Sequence, residues 1–139
     1  MKLITRDTDY AVRALCYIAT SDKDKVSATE LVKELKIPRP FMRKILQILN
    51  KEGILRSFKG LGGGFVLARE PKNISLVDLI KAFQESFDVN ECTFKKSLCP
   101  NTKECELKKR IDNIKTYINE ELKNITIGLL IGKAGKGNG

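Results

Sequence analysis

This chain of 139 residues contains no histidine. The gap removes the commonest general acid–base residue, the usual proton switch of neutral pH, and the imidazole ligand of mixed Cys/His zinc sites. No nucleophile–base pair stands out without it, so the sequence predicts no catalytic residues and no enzyme. The chain also lacks any apolar run approaching the roughly 18–20 residues that a membrane-spanning helix needs. Its opening residues, MKLITRDTDYAV, carry charge where a secretory leader would have its apolar stretch. These absences predict a cytoplasmic protein with no membrane partner, in a compartment where thiols stay reduced. Acidic residues are scarce as well: 17 Asp and Glu stand against 26 Lys and Arg, a net charge of +9. An excess of that size suits a polyanionic partner, most often nucleic acid, although a solvated basic surface would give the same total.

What is present fits one domain with perhaps an appended element. Hydrophobic residues make up 42%, enough for a core that needs no disulfides. TDYAVRALCYIAT, residues 8–20, has an apolar stripe at helical spacing (Tyr10, Ala11, Ala14, Leu15, Ile18), with Thr8 or Asp9 as its cap. Cys16 lies within that stripe's surroundings and reads as a small buried hydrophobe. Ser27 and Glu30 form a capping-box pair opening a second helix. A third runs from Pro38 or Pro40 to about Glu52, buried through Phe41, Ile45, Ile48 and Leu49, with Gly53 as its C-terminal stop. Arg39, Arg43, Lys44, Gln47 and Lys51 fall largely off that buried face.

Two helices joined by a tight turn, the second with an exposed basic face, make a helix-turn-helix candidate. ILRSF and FVLAR then read as strands of a hairpin around KGLGGG. Helix–turn–helix–hairpin is the order of a winged helix. The glycines do not form a nucleotide loop: Phe65 breaks GxGxxG, a strand follows instead of a helix, and no Gly-Lys-Ser/Thr is present. They predict a slim wing that can approach a DNA backbone or minor groove. Ser75 and Asp78 start a fourth helix carrying Leu76, Leu79, Ile80 and Phe83. A long helix spans about 104–123, with Leu107, Ile111, Ile114, Ile118, Leu122 and Ile125 as a heptad-like seam. The preceding elements suffice for a winged helix, so this seam is expected to face a second copy, with ITIGLLI docking on the dimer. The fold class is thus mainly α with a small β-hairpin wing, a winged helix-turn-helix plus a long C-terminal dimerisation helix. Expected divisions are 1–88 for the DNA-binding part, 89–105 for a cysteine loop, 106–132 for dimerisation and docking, and 133–139 for a flexible tail.

Three of the four cysteines crowd into ECTFKKSLCPNTKEC, residues 91–105. The Cys92-x6-Cys99-x5-Cys105 spacing is not a CxxC zinc knuckle. Three thiolates can hold three corners of an iron–sulfur cluster, and the surrounding lysines favour thiolates and a net-negative group. Three unrelated surface thiols remain the alternative on chemistry alone.

With wing and cysteines both located, the sequence resembles the Rrf2 family of bacterial winged-helix regulators, from Met1 to about Gly132. MKLITRDTDYAVRAL, KGLGGGFVLAR, the three loop cysteines and NITIGLL carry the resemblance. It implies a homodimer on a double-stranded DNA operator, read as a pseudo-palindrome, with Arg39, Arg43, Lys44 and Gln47 in a major groove and Lys59 on the wing. It also implies an iron–sulfur cluster, 2Fe–2S or 4Fe–4S, on Cys92, Cys99 and Cys105, with operator binding controlled by redox, nitric oxide or cluster status. Members of the iron–sulfur assembly type place a histidine three residues after the last cysteine, and here that residue is Lys108. Nitric-oxide-sensing members use an aspartate near the partner's N-terminus, which aligns with Asp9, with Asp7 nearby. The alternative is a cluster-free regulator that senses thiol oxidation, a small metabolite or a protein partner.

Overall fold

A computed structural model describes residues 3–84 and 105–137. Helix α1, Arg6–Thr20, turns Ala11, Ala14, Leu15 and Ile18 into the core. Its cap is Thr5, whose hydroxyl accepts from the Thr8 amide, not Thr8 or Asp9 as the sequence suggests. The helix begins earlier than expected because Thr8 is itself fully buried; its hydroxyl donates to Gln84 Oε1 at 3.1 Å. A buried hydroxyl must be bonded, and that bond fixes it inside the first turn.

Helix α2, Ala28–Leu35, is capped by Ser27, which accepts from the Glu30 amide. Only half of the expected capping box forms. The Glu30 carboxylate instead accepts from Tyr17 Oη and pairs with Lys23, each at 2.6 Å. Those bonds hold Glu30 below the usual carboxylate range, Lys23 first and Tyr17 second, and Glu30 pushes the Tyr17 phenol up to about 12. The trio ties α2 to α1 and the loop between them.

Lys36, in the left-handed conformation, ends α2, and α3, Arg39–Lys51, follows with Pro40 in its first turn. Met42 and Leu46 join Ile45 and Leu49 in the core, while Phe41 and Ile48 are only partly covered. Gly53 stops the helix with φ +74: its amide donates to the Asn50 carbonyl and the Ile54 amide to the Leu49 carbonyl. That is a Schellman stop, and Ile54 and Leu49 are both buried.

Strands β1, Leu55–Phe58, and β2, Gly64–Leu67, pair antiparallel with Leu55 opposite Leu67 and Phe58 opposite Gly64. Val26 adds a single-residue third rung through reciprocal bonds with Phe65 of 3.1 and 2.8 Å. Gly64 makes this possible, since a Cβ there would lie 2.8 Å from the Val26 carbonyl oxygen. A 3₁₀ turn, Pro71–Asn73, leads to α4, Leu76–Phe83, which has the complete Ser75/Asp78 capping box.

Helix α5, Glu106–Asn124, divides the long seam. Leu122 is buried, and Ile118 and Ile125 pack on the chain's own core. Leu107 and Ile114 remain 48% and 53% exposed. The expectation that the whole stripe faces a partner is thus corrected for its C-terminal half, which packs on the chain's own core. Helix α6, Ile127–Gly137, also corrects the docking expectation, because it packs on the chain's own α1 and the 3₁₀ turn. The NITIGLL motif explains why. The Leu76 amide donates to the Ile125 carbonyl and the Ile127 amide to the Ile74 carbonyl, a two-bond rung. Thr126 Oγ1 caps α6 by accepting from the Leu129 amide. Gly128 lets α6 close in, since a Cβ there would sit 2.9 Å from Lys72 Cα. The α6 backbone continues to Gly137, through most of the expected tail.

Candidate nucleic-acid interface and cysteine segment

Helix α3 and the wing enclose a cleft of about 260 Å³. Arg43, Gln47 and Asn50, one stripe of α3, form one wall, and Ser57, Phe58 and Lys59 form the other. Ala28, Leu46 and Phe65 line its floor. Arg43, Gln47, Asn50 and Lys59 are all exposed. Three of the five expected contact residues are thus gathered at one cleft. Arg39 stands at the start of α3, where its guanidinium donates to Thr29 Oγ1 at 3.4 Å. Lys44 turns the other way and pairs with Asp7 of α1 at 3.4 Å. Asn50 and Ser57 escaped the sequence reading. Asn50 continues the 43–47–50 helical spacing and could have been found that way. Ser57 depends on strand pairing that spacing alone does not supply. Lys25 adds a further cation, its ammonium 4.6 Å from the Phe58 ring centroid.

Of the expected cluster ligands, Cys92 and Cys99 lie outside the described residues. Cys105 occupies the N-cap position of α5. Lys108 lies in the exposed first turn of α5, and a protonated amine is no metal ligand. Asp9 sits in the first turn of α1, its side chain 48% exposed and paired with Arg13 at 3.1 Å. A carboxylate at that surface is accessible to another chain once its Arg13 pairing opens or is shared. Cys16, which the sequence reads as a small buried hydrophobe, is only partly buried against the core, and that burial raises its thiol pKa. Among the described residues, no His/Cys/Asp/Glu group is arranged to hold a metal ion.

The first turn of α1 reaches in two directions. On one side Gln84, the last described residue before the cysteine segment, accepts from the Thr5 amide and the Thr8 hydroxyl at 3.4 and 3.1 Å. On the other, Arg6 lies 4.2 Å from the Phe41 ring centroid and Asp7 holds Lys44, both residues of α3.

A hairpin directly behind a two-helix reading unit defines a winged helix-turn-helix regulator. The family model Rrf2, described as "Iron-dependent Transcriptional regulator", matches residues 4–133, and the chain belongs to that family. A protein of Aquifex aeolicus strain VF5, provisionally named an HTH-type transcriptional regulator, is 35% identical over 124 residues, 88% of this chain and 86% of its own. The HTH-type transcriptional regulator NsrR of Shouchella clausii is 32% identical over 90 residues, 64% of this chain and 60% of that one. Among solved structures, T. potens IscR superposes with a TM-score of 0.73 at 24% identity, covering 96% of this chain and 88% of its own. Oxidised Staphylococcus aureus CymR gives 0.71 at 20% identity, with 94% and 96% covered. The protein is therefore a transcriptional regulator of a family of DNA-binding, non-enzymatic proteins. Among the described residues no helix is long and apolar enough to cross a membrane.

Proposed function

We propose that the chain acts as a homodimer on a pseudo-palindromic DNA operator and that an iron–sulfur cluster on Cys92, Cys99 and Cys105 governs its affinity. The observation that carries the DNA reading is the cleft where Arg43, Gln47 and Lys59 converge with no carboxylate among its lining residues. α3 enters the major groove with Arg43 and Gln47 toward base edges and Arg39 near its N-terminus. Lys59 meets phosphate from the wing. Lys44 contributes less than the other cations because Asp7 already neutralises it. The half-exposed start of α5 supports a second copy as its cover.

The donor set fits an iron–sulfur group: three thiols, no imidazole, and an accessible carboxylate at Asp9. The family's description as iron-dependent supports iron rather than zinc. Asp9 of the partner subunit supplies the fourth ligand. When bound, the cluster provides a centre that reacts with oxidants or nitric oxide, the carboxylate-bound corner being the most exchangeable. The chain's own part is to hold the first turn of α1 between Gln84 and α3, so that displacement of that turn shifts Phe41 and Lys44.

The test is anaerobic purification with absorbance and iron analysis, and operator binding measured on the same samples. A coloured protein with about one cluster per chain, and affinity that changes on cluster loss, supports the reading. Colourless protein whose affinity follows thiol oxidation state or an added metabolite overturns the cluster and leaves the cluster-free regulator.

A further inference from the structure

Leu61 is fully exposed at the end of the wing. A leucine on a loose loop would be unremarkable, but this one is held in place. The Gly63 amide donates to the Gly60 carbonyl at 3.0 Å, closing a β-turn with Leu61 and Gly62 as its central residues. Gly62 has φ +76, while Leu61 is not among the positive-φ residues, so the turn is type II with Leu61 at its first central position. Gly63 closes the underside: any Cβ there would collide with the Phe58 and Gly60 carbonyls. The result is a narrow, braced tip carrying one branched apolar side chain outward. Its surroundings are cationic. Residues 53–69 contain no Asp or Glu, Arg56 and Lys59 belong to the hairpin, and Lys25 lies over Phe58, whose pairing with Gly64 is the last rung before the tip; Arg69, beyond the far end of β2, is paired with Asp78 at 3.7 Å. Such a tip suits a surface that is anionic at its rim and apolar within a narrow slot. The DNA minor groove has that form, with phosphates along its edges and deoxyribose faces on its walls.

We propose that Leu61 is an apolar wedge that enters the operator's minor groove, packs between the sugar walls, and opens a flexible base step so that the DNA bends. This goes beyond a wing held by phosphate contacts, and it rests on the reading of α3 and the wing as the DNA interface. Lys59 and Arg56 supply sequence-independent attraction. Leu61 adds a term that depends on groove shape and on how easily the step unstacks, least costly at TA or CA steps.

The test uses the full-length protein and a duplex selected by the wild type from a random-sequence pool. Affinity is read by anisotropy across a salt series, and bending by energy transfer between the duplex ends. Leu61→Ala should weaken specific binding about tenfold and reduce the bend, yet leave non-specific affinity and salt slope unchanged. Leu61→Met, which keeps an apolar side chain of similar volume, should retain most of both. An unbent duplex with the wild type, or a Leu61→Ala variant equal to the parent in affinity and bend, overturns the wedge. Lys59→Ala and Arg43→Ala separate the two levels of the claim. If they weaken binding while Leu61→Ala does not, only the wedge fails; if all three are silent, the interface assignment fails with it.

Discussion

Ile114 and Leu122 lie on one stripe of α5, two helical turns apart, and replacing each with alanine should have opposite consequences. Ile114 is 53% exposed in the single chain, and Leu122 is 7% exposed. Fully burying an isoleucine is worth about 1.5–3 kcal/mol, so covering the exposed half against a partner contributes about 1 kcal/mol per copy. A two-fold interface holds two copies, which makes about 2 kcal/mol, or about a 30-fold weaker dimer for Ile114→Ala. The same change should lower the melting temperature of the separated chain far less than Leu122→Ala does, because about half of Ile114 is already exposed there. Leu122→Ala removes core volume and should cost on the order of 2–5 kcal/mol of domain stability. Ile114→Glu is the harsher form: two carboxylates buried without partners should abolish the dimer at micromolar concentration while the monomer still folds. Sedimentation across a concentration series measures the first effect, and thermal or denaturant melting the second. If Ile114→Glu sediments as an unchanged dimer, or if it melts as poorly as Leu122→Ala, the exposed half of the seam is not the interface.

Arg43→Ala and Lys59→Ala should each weaken operator binding, and losing a phosphate-binding lysine should flatten the salt dependence by about one unit of slope. Lys44→Ala should cost less than Arg43→Ala, because Asp7 already pairs with Lys44. Serine at Cys92, Cys99 or Cys105 should eliminate the anaerobic chromophore, whereas Cys16→Ala should retain it. Asp9→Ala should still assemble a cluster but a shorter-lived one in air; identical spectrum and lifetime would leave Asp9 with its Arg13 pair alone. Tyr17 should ionise near pH 12 in an ultraviolet titration, and Glu30→Gln should bring it back toward about 10. Because the folded-state pKa is the higher one, that bond's contribution to stability is complete below about pH 10 and is lost as pH rises through 12.

Local signals were the legible part of this sequence. Helix α3, its glycine stop, the hairpin and the second capping box all depend on residues within a few positions of one another. Side chains with a choice of partner were harder. Glu30 satisfies the capping-box pattern, yet Tyr17 and Lys23 claim its carboxylate. Thr8 looks like a helix cap, but a residue 76 positions away accepts its hydroxyl and draws it into the core. Lys44 shares the charge of Arg43, and only the packing of α1 reveals that Asp7 stands beside it. Of the candidate cluster site, the sequence supplies the donor chemistry, while the geometry of Cys92 and Cys99 lies outside the described residues.

The α5 stripe states the difficulty most sharply. A heptad-like repeat establishes that one face is apolar; it carries no information about what covers that face. Leu107 through Ile125 is continuous in sequence but not in environment, because among the described residues it is Ile118, Leu122 and Ile125 of the stripe that pack on the core. Most of the deciding residues are off the stripe. Ile74, Leu76 and Ile127 form with Ile125 the rung that anchors the end of α5, and Gly128 lets α6 close against Lys72. With that end fixed inside the domain, the N-terminal half leaves Leu107 and Ile114 half-exposed. It begins at Cys105, so a partner docked along this half would lie beside the end of the cysteine segment. A second chain covering that seam would thus bring its surface, and any carboxylate on it, toward Cys105.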